Sequence, residues 1–203
     1  MRWTDLQPFG WDERFEAAFD DVAEQGAVPV RAVVQTRLGY FVVTGQGEPQ
    51  RARLSGPLKR AKGADRPAVG DWMAVVQKPR EDRLAVRALV PRRSVFLRKV
   101  AGAVTREQVV AANVDYVFLV SGLDHDFSPR RIERYVTLAW DSGAQPVLLL
   151  NKVDLCDDPE RCVAEASAAA PGVEVHTLSA AKGEGLDVIH GYLGPGVTGA
   201  FLG

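Results

Sequence analysis

A run of apolar residues that passes directly into a polar tetrapeptide constrains the fold of this chain more than any other feature. Residues 147–150 are one valine and three leucines, and Asn151, Lys152, Val153 and Asp154 follow without a gap. A short apolar run without alternation is typical of a strand buried on both faces of a parallel sheet. Ligands bind at the carboxyl ends of such strands, so the tetrapeptide lies where a binding site is expected.

Alternating strand and helix signals continue through the second half of the chain and predict an α/β architecture. The pairs Ser128-Pro129 and Asp158-Pro159 each combine a helix N-cap residue with proline at the first helical position. Four strands are expected, at residues 116–120, 146–150, 173–178 and 197–202. These segments predict a parallel sheet whose two faces are covered by helices.

The middle of the chain carries a different pattern, in which short alternating segments are separated by turns. Five strands are expected there, at residues 30–35, 38–43, 50–54, 71–76 and 84–90. This number of short strands favours a small Greek-key barrel of the OB type, so the fold class is α/β plus all-β. The predicted domains are an N-terminal helix in residues 1–27, the barrel in residues 28–99 and the α/β domain in residues 100–203. Residues 100–114 are expected to be a connector with helical character.

Charge is strongly segregated along the chain, although its net charge is only −1. Residues 28–106 contain 17 lysines and arginines against 5 acids. A basic module in a near-neutral chain indicates a polyanionic partner such as nucleic acid, and a solvated basic surface is the alternative. Tyr40 and Phe41 could stack bases, but core packing is favoured because they lie on barrel strands, and it is favoured still more for Trp72. The candidates for RNA contact are Lys59, Arg60, Lys62, Arg66, Arg92 and Arg93.

The tetrapeptide that follows the apolar run has a chemistry that matches guanine. Asp154 can accept hydrogen bonds from the ring N–H and the exocyclic amine of this base, and adenine has no donors at those positions. Lys152 can lay its alkyl chain along the base, and Asn151 can hold neighbouring loops together. The backbone N–H of Ala180 can donate to the guanine carbonyl. The alternative is a polar loop without a ligand. The candidate guanine-binding residues are Asn151, Lys152, Val153, Asp154, Ser179 and Ala180.

Two other sequences that GTP-hydrolysing proteins use do not occur in this chain, namely the phosphate loop GxxxxGK[ST] and the four-residue motif Asp-x-x-Gly. Residues 199–203 have the character of a strand that leads into a phosphate loop, with Gly203 as its first glycine. The base-reading loops thus precede the expected phosphate loop, which is the order of a circularly permuted GTPase domain. Without a cradle for the phosphates, we expect this chain alone to be inactive in GTP hydrolysis.

Six motifs are spread over nearly the whole chain: residues 67–72 (PAVGDW), 91–94 (PRRS), 111–115 (AANVD), 131–135 (RIERY), 151–155 (NKVDL) and 179–185 (SAAKGEG). Together they resemble the ribosome small-subunit-dependent GTPases of the RsgA family. The resemblance implies an N-terminal OB-type five-stranded barrel followed by part of a circularly permuted P-loop GTPase domain with a parallel sheet. Residues 100–203 then contain this GTPase domain incompletely.

The family resemblance also implies a function and a set of partners. It implies binding of GTP and GDP with Mg²⁺, hydrolysis stimulated by the small subunit, and a role in late maturation of the 30S ribosomal subunit. The implied partners are the small ribosomal subunit and its 16S rRNA. We expect a monomer, and the two cysteines together with an N-terminus without an apolar signal core predict a cytoplasmic location. A Zn²⁺ ion is expected only in a C-terminal domain that this sequence does not contain.

Two other classes of function stay open from the sequence. The chain can be an RNA-binding OB-fold module whose α/β half is a non-catalytic platform. A metal-dependent hydrolase is disfavoured, because the three histidines show no ligand spacing and His125 lies in a loop that is typical of a solvated turn. We expect no metal site in this chain and reduced thiols at Cys156 and Cys162. No apolar run approaches the roughly 20 residues that span a bilayer, so no membrane association is expected.

Overall fold

A computed structural model of the protein describes residues 3–45, 47–77, 82–100 and 106–203. The chain divides into two compact units, residues 1–113 and residues 114–203. The five-stranded barrel and the parallel sheet expected from the sequence are both present, one in each unit.

A closed barrel with the strand order β1-β2-β3-β5-β4 forms the centre of the first unit. Its strands are β1 (Val28–Thr36), β2 (Gly39–Val43), β3 (Gln50–Leu54), β4 (Trp72–Gln77) and β5 (Leu84–Leu89). Strands β3 and β5 pair in parallel, and the other four pairings are antiparallel. The five strands predicted from alternation are therefore confirmed, to within two residues at each end.

Inward-facing side chains fill the barrel because alternate residues of each strand point to its interior. The core includes Val30, Tyr40, Met73 and Val86. Tyr40 is only 3% exposed, and its hydroxyl donates a hydrogen bond of 2.9 Å to the Pro67 carbonyl. Burial raises the pKa of the Tyr40 phenol. The core packing favoured for Tyr40 is therefore confirmed, and its buried ring is not available for base stacking.

An amphipathic helix, α1 (Glu13–Val22), packs on the outside of the barrel as the sequence predicts. Its N-cap is Asp12, whose carboxylate accepts a 3.0 Å hydrogen bond from the Phe15 N–H. The rings of Trp11 and Trp72 meet edge to face with their centroids 4.7 Å apart. Trp72 is fully buried in this aromatic cluster, which confirms its packing role.

The predicted helical connector is wrong, because part of residues 100–114 forms a strand. Strand β6 (Val95–Val100) pairs antiparallel with β7 (Arg106–Ala112) in a separate two-stranded sheet. Residues 101–105 lie outside the described residues. Within β7, Val109 is 6% exposed and Val110 is 49% exposed, which is the alternation of a strand. Two adjacent β-branched residues and an available partner strand outweigh the helix propensity of their neighbours.

The second unit is a four-stranded parallel sheet with the order β10-β9-β8-β11. Its elements are β8 (Tyr116–Gly122), α2 (Pro129–Asp141), β9 (Gln145–Asn151), α3 (Pro159–Ala169), β10 (Glu174–Thr177), α4 (Asp187–Tyr192) and β11 (Gly199–Leu202). Residues 147–150 are buried, as their apolar composition predicts. Because the strands are parallel, their carboxyl ends lie at one edge of the sheet.

Candidate guanine site

The polar tetrapeptide leaves the sheet through a sharp turn at the carboxyl end of β9. Asn151 is the last residue of this strand, and Lys152 has a left-handed backbone with φ 66° and ψ 34°. A non-glycine residue rarely adopts this conformation, which is enriched at functional turns. Residues Val153–Leu155 then form a short 3-10 helix. The turn places the side chains of the tetrapeptide beyond the sheet edge.

Asn151 ties the tetrapeptide to the loop after β10. Its side-chain oxygen accepts hydrogen bonds from the N–H groups of Lys152 at 2.8 Å and Ala180 at 3.0 Å. A backbone bond of 3.2 Å from Val153 N to the Leu178 carbonyl joins the same two loops. Asn151 thus makes the loop-to-loop contact expected of it. The Ala180 N–H already donates to the side-chain oxygen of Asn151. A guanine carbonyl at this position therefore has to share that donor or displace the Asn151 oxygen from it.

The loop after β10 is a compact turn built around Ser179. This serine is fully buried, and its backbone N–H and carbonyl pair with those of Glu184 at 3.0 and 3.1 Å. Gly183 and Gly185 both have positive φ angles, of 74° and 72°. A Cβ on Gly185 would lie 2.7 Å from the Thr177 carbonyl oxygen. The loop therefore requires glycine there to place Ser179 and Ala180 next to the tetrapeptide.

Asp154 is partly buried, and its carboxylate faces the Ser179 loop. A hydrogen bond from the Ser179 side chain is the largest reason that the pKa of Asp154 lies below its ordinary value, and Lys182 lowers the pKa further. The carboxylate is therefore ionised at neutral pH and offers only acceptors. An ionised carboxylate of this kind can accept hydrogen bonds from both N–H donors on the edge of a guanine base.

Lys152 is held by an acid that the sequence did not identify as its partner. Its ammonium group forms an ion pair with Asp124, which lies in the loop after β8. The other Asp124 oxygen accepts a 3.2 Å hydrogen bond from the Asp126 N–H, and the Asp126 carboxylate binds Arg131 at 2.8 Å. The hydrogen bond to Asp124 raises the pKa of Lys152, and the same bond lowers the pKa of Asp124.

These contacts also bear on the acidic loop around His125. Both of its carboxylates are engaged in ion pairs, with Lys152 and Arg131. Among the residues that the structure describes, no group of three or more histidine, cysteine or acidic side chains is placed to hold a metal ion. The loop therefore holds the tetrapeptide in place through the ion pair between Asp124 and Lys152.

The ion pair yields a prediction for Asp124→Asn. Removing the carboxylate is expected to lower the pKa of Lys152 towards its ordinary value of about 10.4, because the neutral amide no longer stabilises the ammonium group. The pKa is measured by NMR titration of the lysine side chains. Asp126→Asn is the matched control and should move the Lys152 pKa much less, because Asp126 does not contact Lys152. An unchanged pKa in Asp124→Asn would show that the ion pair does not form.

Gly203 follows β11, the edge strand that pairs with β8. A Cβ added to this glycine would lie 2.8 Å from the Val120 carbonyl oxygen, so the chain passes very close to β8 here. The carboxyl ends of β9 and β11 lie at the same edge of the sheet, separated by β8. The proposed first glycine of a phosphate loop and the candidate guanine residues therefore occupy the same edge.

The basic candidates in the first unit divide into exposed and internally bonded side chains. Arg92 binds both oxygens of the fully buried Asp71 at 2.7 Å and donates to the Arg66 carbonyl at 2.8 Å. Arg93 donates to Asp12 at 3.3 Å and lies over the Phe15 ring at 5.5 Å. These contacts favour structural roles for both arginines over the predicted RNA contact. The exposed candidates are Lys59, Arg60, Lys62 and Arg66.

A second basic surface, which the sequence analysis missed, surrounds the β1–β2 hairpin. A groove of about 460 Å³ there brings together Arg37, Arg51, Arg53 and Arg83. The Arg51 guanidinium lies over the half-buried Phe41 ring, 5.8 Å from its centroid. The spacing of Arg51 and Arg53 places both on one face of β3 and is the only sequence signal for this surface. We call these four arginines the hairpin arginines.

Within the described residues, the helices are all too short or too polar to cross a membrane.

The fold and the order of its loops define a class of proteins. A five-stranded barrel precedes a parallel sheet, and the candidate base-reading loops precede the strand at Gly203, as in circularly permuted GTPases. Residues 89–203, more than half of the chain, match the family described as RsgA GTPase. The chain belongs to the RsgA GTPase family.

Individual relatives agree with this assignment. The chain is 41% identical to the small ribosomal subunit biogenesis GTPase RsgA of Opitutus terrae, over 98% of this chain and 56% of that protein. It is 37% identical to the protein of the same name from Streptomyces coelicolor, over 98% and 54%. The chain thus spans about half the length of the relatives it matches.

Solved structures share the fold. YjeQ from Thermotoga maritima matches with a TM-score of 0.69 and 22% identity, over 87% of this chain and 60% of that structure. YloQ, described as a circularly permuted GTPase, matches with a TM-score of 0.63 and 19% identity, over 88% and 60%.

Proposed function

We propose that this chain supplies the guanine-reading loops and an RNA-binding barrel of a GTPase that acts in late maturation of the small (30S) ribosomal subunit. The observation that carries this proposal is the joined pair of loops, in which the Asn151 side chain accepts a hydrogen bond from the Ala180 N–H and the Val153 N–H donates to the Leu178 carbonyl. The names of the relatives support the ribosomal role. The proposed partners are the 30S subunit and its 16S rRNA, and the proposed state is a cytoplasmic monomer.

Each guanine-binding residue has a separate role in this proposal. Asp154 accepts hydrogen bonds from the ring N–H and the exocyclic amine, which gives selectivity over adenine. The alkyl chain of Lys152, anchored by Asp124 at its ammonium end, covers one face of the base. Asn151, Val153 and the Ser179 loop hold this arrangement through their hydrogen bonds. The acceptor oxygens of Asp154 and the alkyl chain of Lys152 support guanine as the base that this proposed site takes.

The phosphates and the ions belong to other parts of the proposed protein. We infer that a phosphate loop begins at Gly203 and that GTP or GDP binds there with Mg²⁺. Hydrolysis requires backbone donors and a lysine for the phosphates, a hydroxyl for Mg²⁺, and a group that positions water. We assign these to the portion of the relatives that this chain does not span, together with a Zn²⁺ domain.

We therefore expect this chain alone to bind GDP weakly and to hydrolyse no GTP. Contacts to the base remain, but the charge-assisted contacts to the phosphates, which contribute most of the affinity, are missing. Titration calorimetry measures GDP binding, and phosphate release measures hydrolysis. The extended protein, meaning this chain continued as in its relatives, is the control. Tight GDP binding to the 203-residue chain would contradict the proposed division of roles.

RNA binding is assigned to the exposed basic side chains of the barrel unit. Reversing Arg51 and Arg53 to glutamate should weaken binding to a 16S rRNA fragment and reduce its salt dependence. For each phosphate that no longer pairs with an arginine, the slope of log K against log salt falls by about 0.7 for a single strand. Filter binding over a series of salt concentrations measures both quantities. Arg130→Glu, an exposed reversal on α2, is the control, and an equal effect there would refute a specific surface.

The second candidate function is an RNA-binding OB-fold module whose parallel sheet is only a platform. The hairpin arginines and the exposed loop lysines favour it, because they form a binding surface without reference to a nucleotide. In that case RNA affinity of the extended protein is the same with GTP, with GDP and without nucleotide. A nucleotide-dependent RNA affinity supports the GTPase proposal instead.

A further inference from the structure

The two cysteines of the chain lie side by side, close to the candidate guanine residues. The Sγ atoms of Cys156 and Cys162 are 3.7 Å apart, and both are free thiols. Cys156 is partly exposed, whereas Cys162 is 5% exposed. Since the chain contains only these two cysteines, any disulfide within it must join them.

Each thiol belongs to a different structural element. Cys156 caps the 3-10 helix Val153–Leu155 that contains Asp154, and its N–H donates to the Val153 carbonyl at 3.2 Å. Cys162 lies in the first turns of α3, where its N–H donates to the Asp158 carbonyl at 3.3 Å. A bond between the two sulfurs would therefore tie the guanine loop to α3.

We propose that Cys156 and Cys162 form a reversible disulfide when a peroxide reaches this loop, and that the disulfide changes the position of the guanine loop. The Cys156 thiol loses its proton, and the thiolate attacks one oxygen of hydrogen peroxide. The O–O bond breaks and a sulfenic acid forms, while the other oxygen leaves as hydroxide, which takes up the proton from the thiol and becomes water. Cys162 then attacks the sulfenic sulfur, the S–O bond breaks, and the second oxygen also leaves as water. Overall, two thiols and one hydrogen peroxide give one disulfide and two waters.

The different exposure of the two thiols determines which one reacts first with peroxide. Cys156 is the more exposed thiol and reacts first with peroxide. Burial is the main cause that raises the pKa of Cys162, and the neighbouring Cys156 contributes to the same shift. Cys162 is thus protected from direct oxidation and serves as the resolving thiol. The sulfurs must approach from 3.7 Å to a bond length of about 2.05 Å. Rotation of the two side chains can supply part of this approach, and the proposal assigns the rest to a shift of the loop at Cys156 towards α3.

The disulfide is tested on this chain with hydrogen peroxide, followed by intact mass and thiol counting. The expected product is a monomer that has lost two hydrogens and both reactive thiols, and that dithiothreitol restores. Cys162→Ser should instead stop at a sulfenic acid on Cys156, trapped by dimedone, whereas Cys156→Ser should react much more slowly. The proposal is overturned if both thiols survive conditions that oxidise glutathione, or if the disulfide forms only between two chains.

The contribution of the folded structure is tested by repeating the oxidation in denaturant. The disulfide should form faster in the folded chain, because the fold holds the sulfurs in contact. Equal or slower formation in the folded chain would show that sequence proximity alone joins the cysteines and would overturn the proposal.

The effect of the disulfide on nucleotide binding rests on the proposed guanine function, and it is measured in a separate experiment. In the extended protein, oxidation should weaken GDP binding about tenfold, the size expected for one misplaced hydrogen bond to a charged group. The Cys156→Ser and Cys162→Ser variants should show no such change after the same treatment. If the disulfide forms and GDP affinity does not change, the regulatory part fails. If the reduced protein binds no GDP, the proposed function itself fails, and disulfide formation stays testable.

Discussion

Replacing Asp154 with asparagine is expected to weaken GDP binding to the extended protein by about 10²–10⁴-fold, because two hydrogen bonds to an ionised acceptor are removed. The asparagine amide presents a donor where the guanine edge also presents donors. Its carbonyl can still accept one bond, but without the negative charge. The pKa of Asp154 lies below its ordinary value, which is itself far below 7, so the native carboxylate is ionised and the full effect is expected at neutral pH.

The same variant should have the opposite effect on a xanthine nucleotide. Xanthine carries a carbonyl oxygen where guanine carries its exocyclic amine, so the asparagine amide can donate to it. Asp154→Asn should therefore bind xanthosine diphosphate better than the native protein does. Displacement of a fluorescent nucleotide measures both affinities. Asp157→Asn, an exposed acid nearby, is the control and should change neither. Unchanged guanine selectivity in Asp154→Asn would contradict the assigned role of this residue.

Replacing Asp71 with alanine should lower the free energy of unfolding of the first unit by about 3–5 kcal/mol, since it leaves the largely buried Arg92 guanidinium without its carboxylate partner. Asp71 is fully buried, and its carboxylate binds the Arg92 guanidinium through two hydrogen bonds of 2.7 Å. It also accepts a 2.7 Å hydrogen bond from the Ala68 N–H. The substitution therefore also frees a backbone donor and the loop that Arg92 holds.

The measurement can be confined to the first unit. Of the four tryptophans, only Trp140 lies outside it, and this side chain is 51% exposed. Urea unfolding of the Trp140→Phe chain, followed by fluorescence, then reports on the first unit. Glu24→Ala is the matched control, because Glu24 binds Arg87 through two hydrogen bonds on the surface. Glu24→Ala should lower the free energy of unfolding by only a small fraction of the amount expected for Asp71→Ala. Equal effects would mean that burial does not strengthen the Asp71 contact.

The sequence predicted the features that depend on local patterns. Apolar runs and helix caps located the parallel strands and helices of the second unit, because burial on both faces leaves a clear signature. Alternation located the five barrel strands. The position of the tetrapeptide at the end of β9 followed from the apolar run that precedes it.

The features that the sequence did not predict depend on contacts between distant residues. Lys152 and Asp124 are 28 positions apart, and Arg92 and Asp71 are 21 apart, so no local pattern joins them. For this reason the sequence alone placed Arg92 among the basic residues predicted to contact RNA. The hairpin arginines come together only when β1, β2, β3 and β5 close into a barrel. The pairing of β6 with β7 was missed because the strand depends on an available partner as well as on the β-branched residues of β7.

The central claim is that the second unit of this chain reads guanine, and an NMR titration of the isotope-labelled chain tests it most directly. Chemical shifts report contacts to the base even when binding is weak. Added guanosine monophosphate should shift the amide signals of Asn151, Lys152, Asp154 and Ala180, whereas adenosine monophosphate should leave them unchanged. Equal shifts with both nucleotides, or shifts confined to other residues, would contradict the claim.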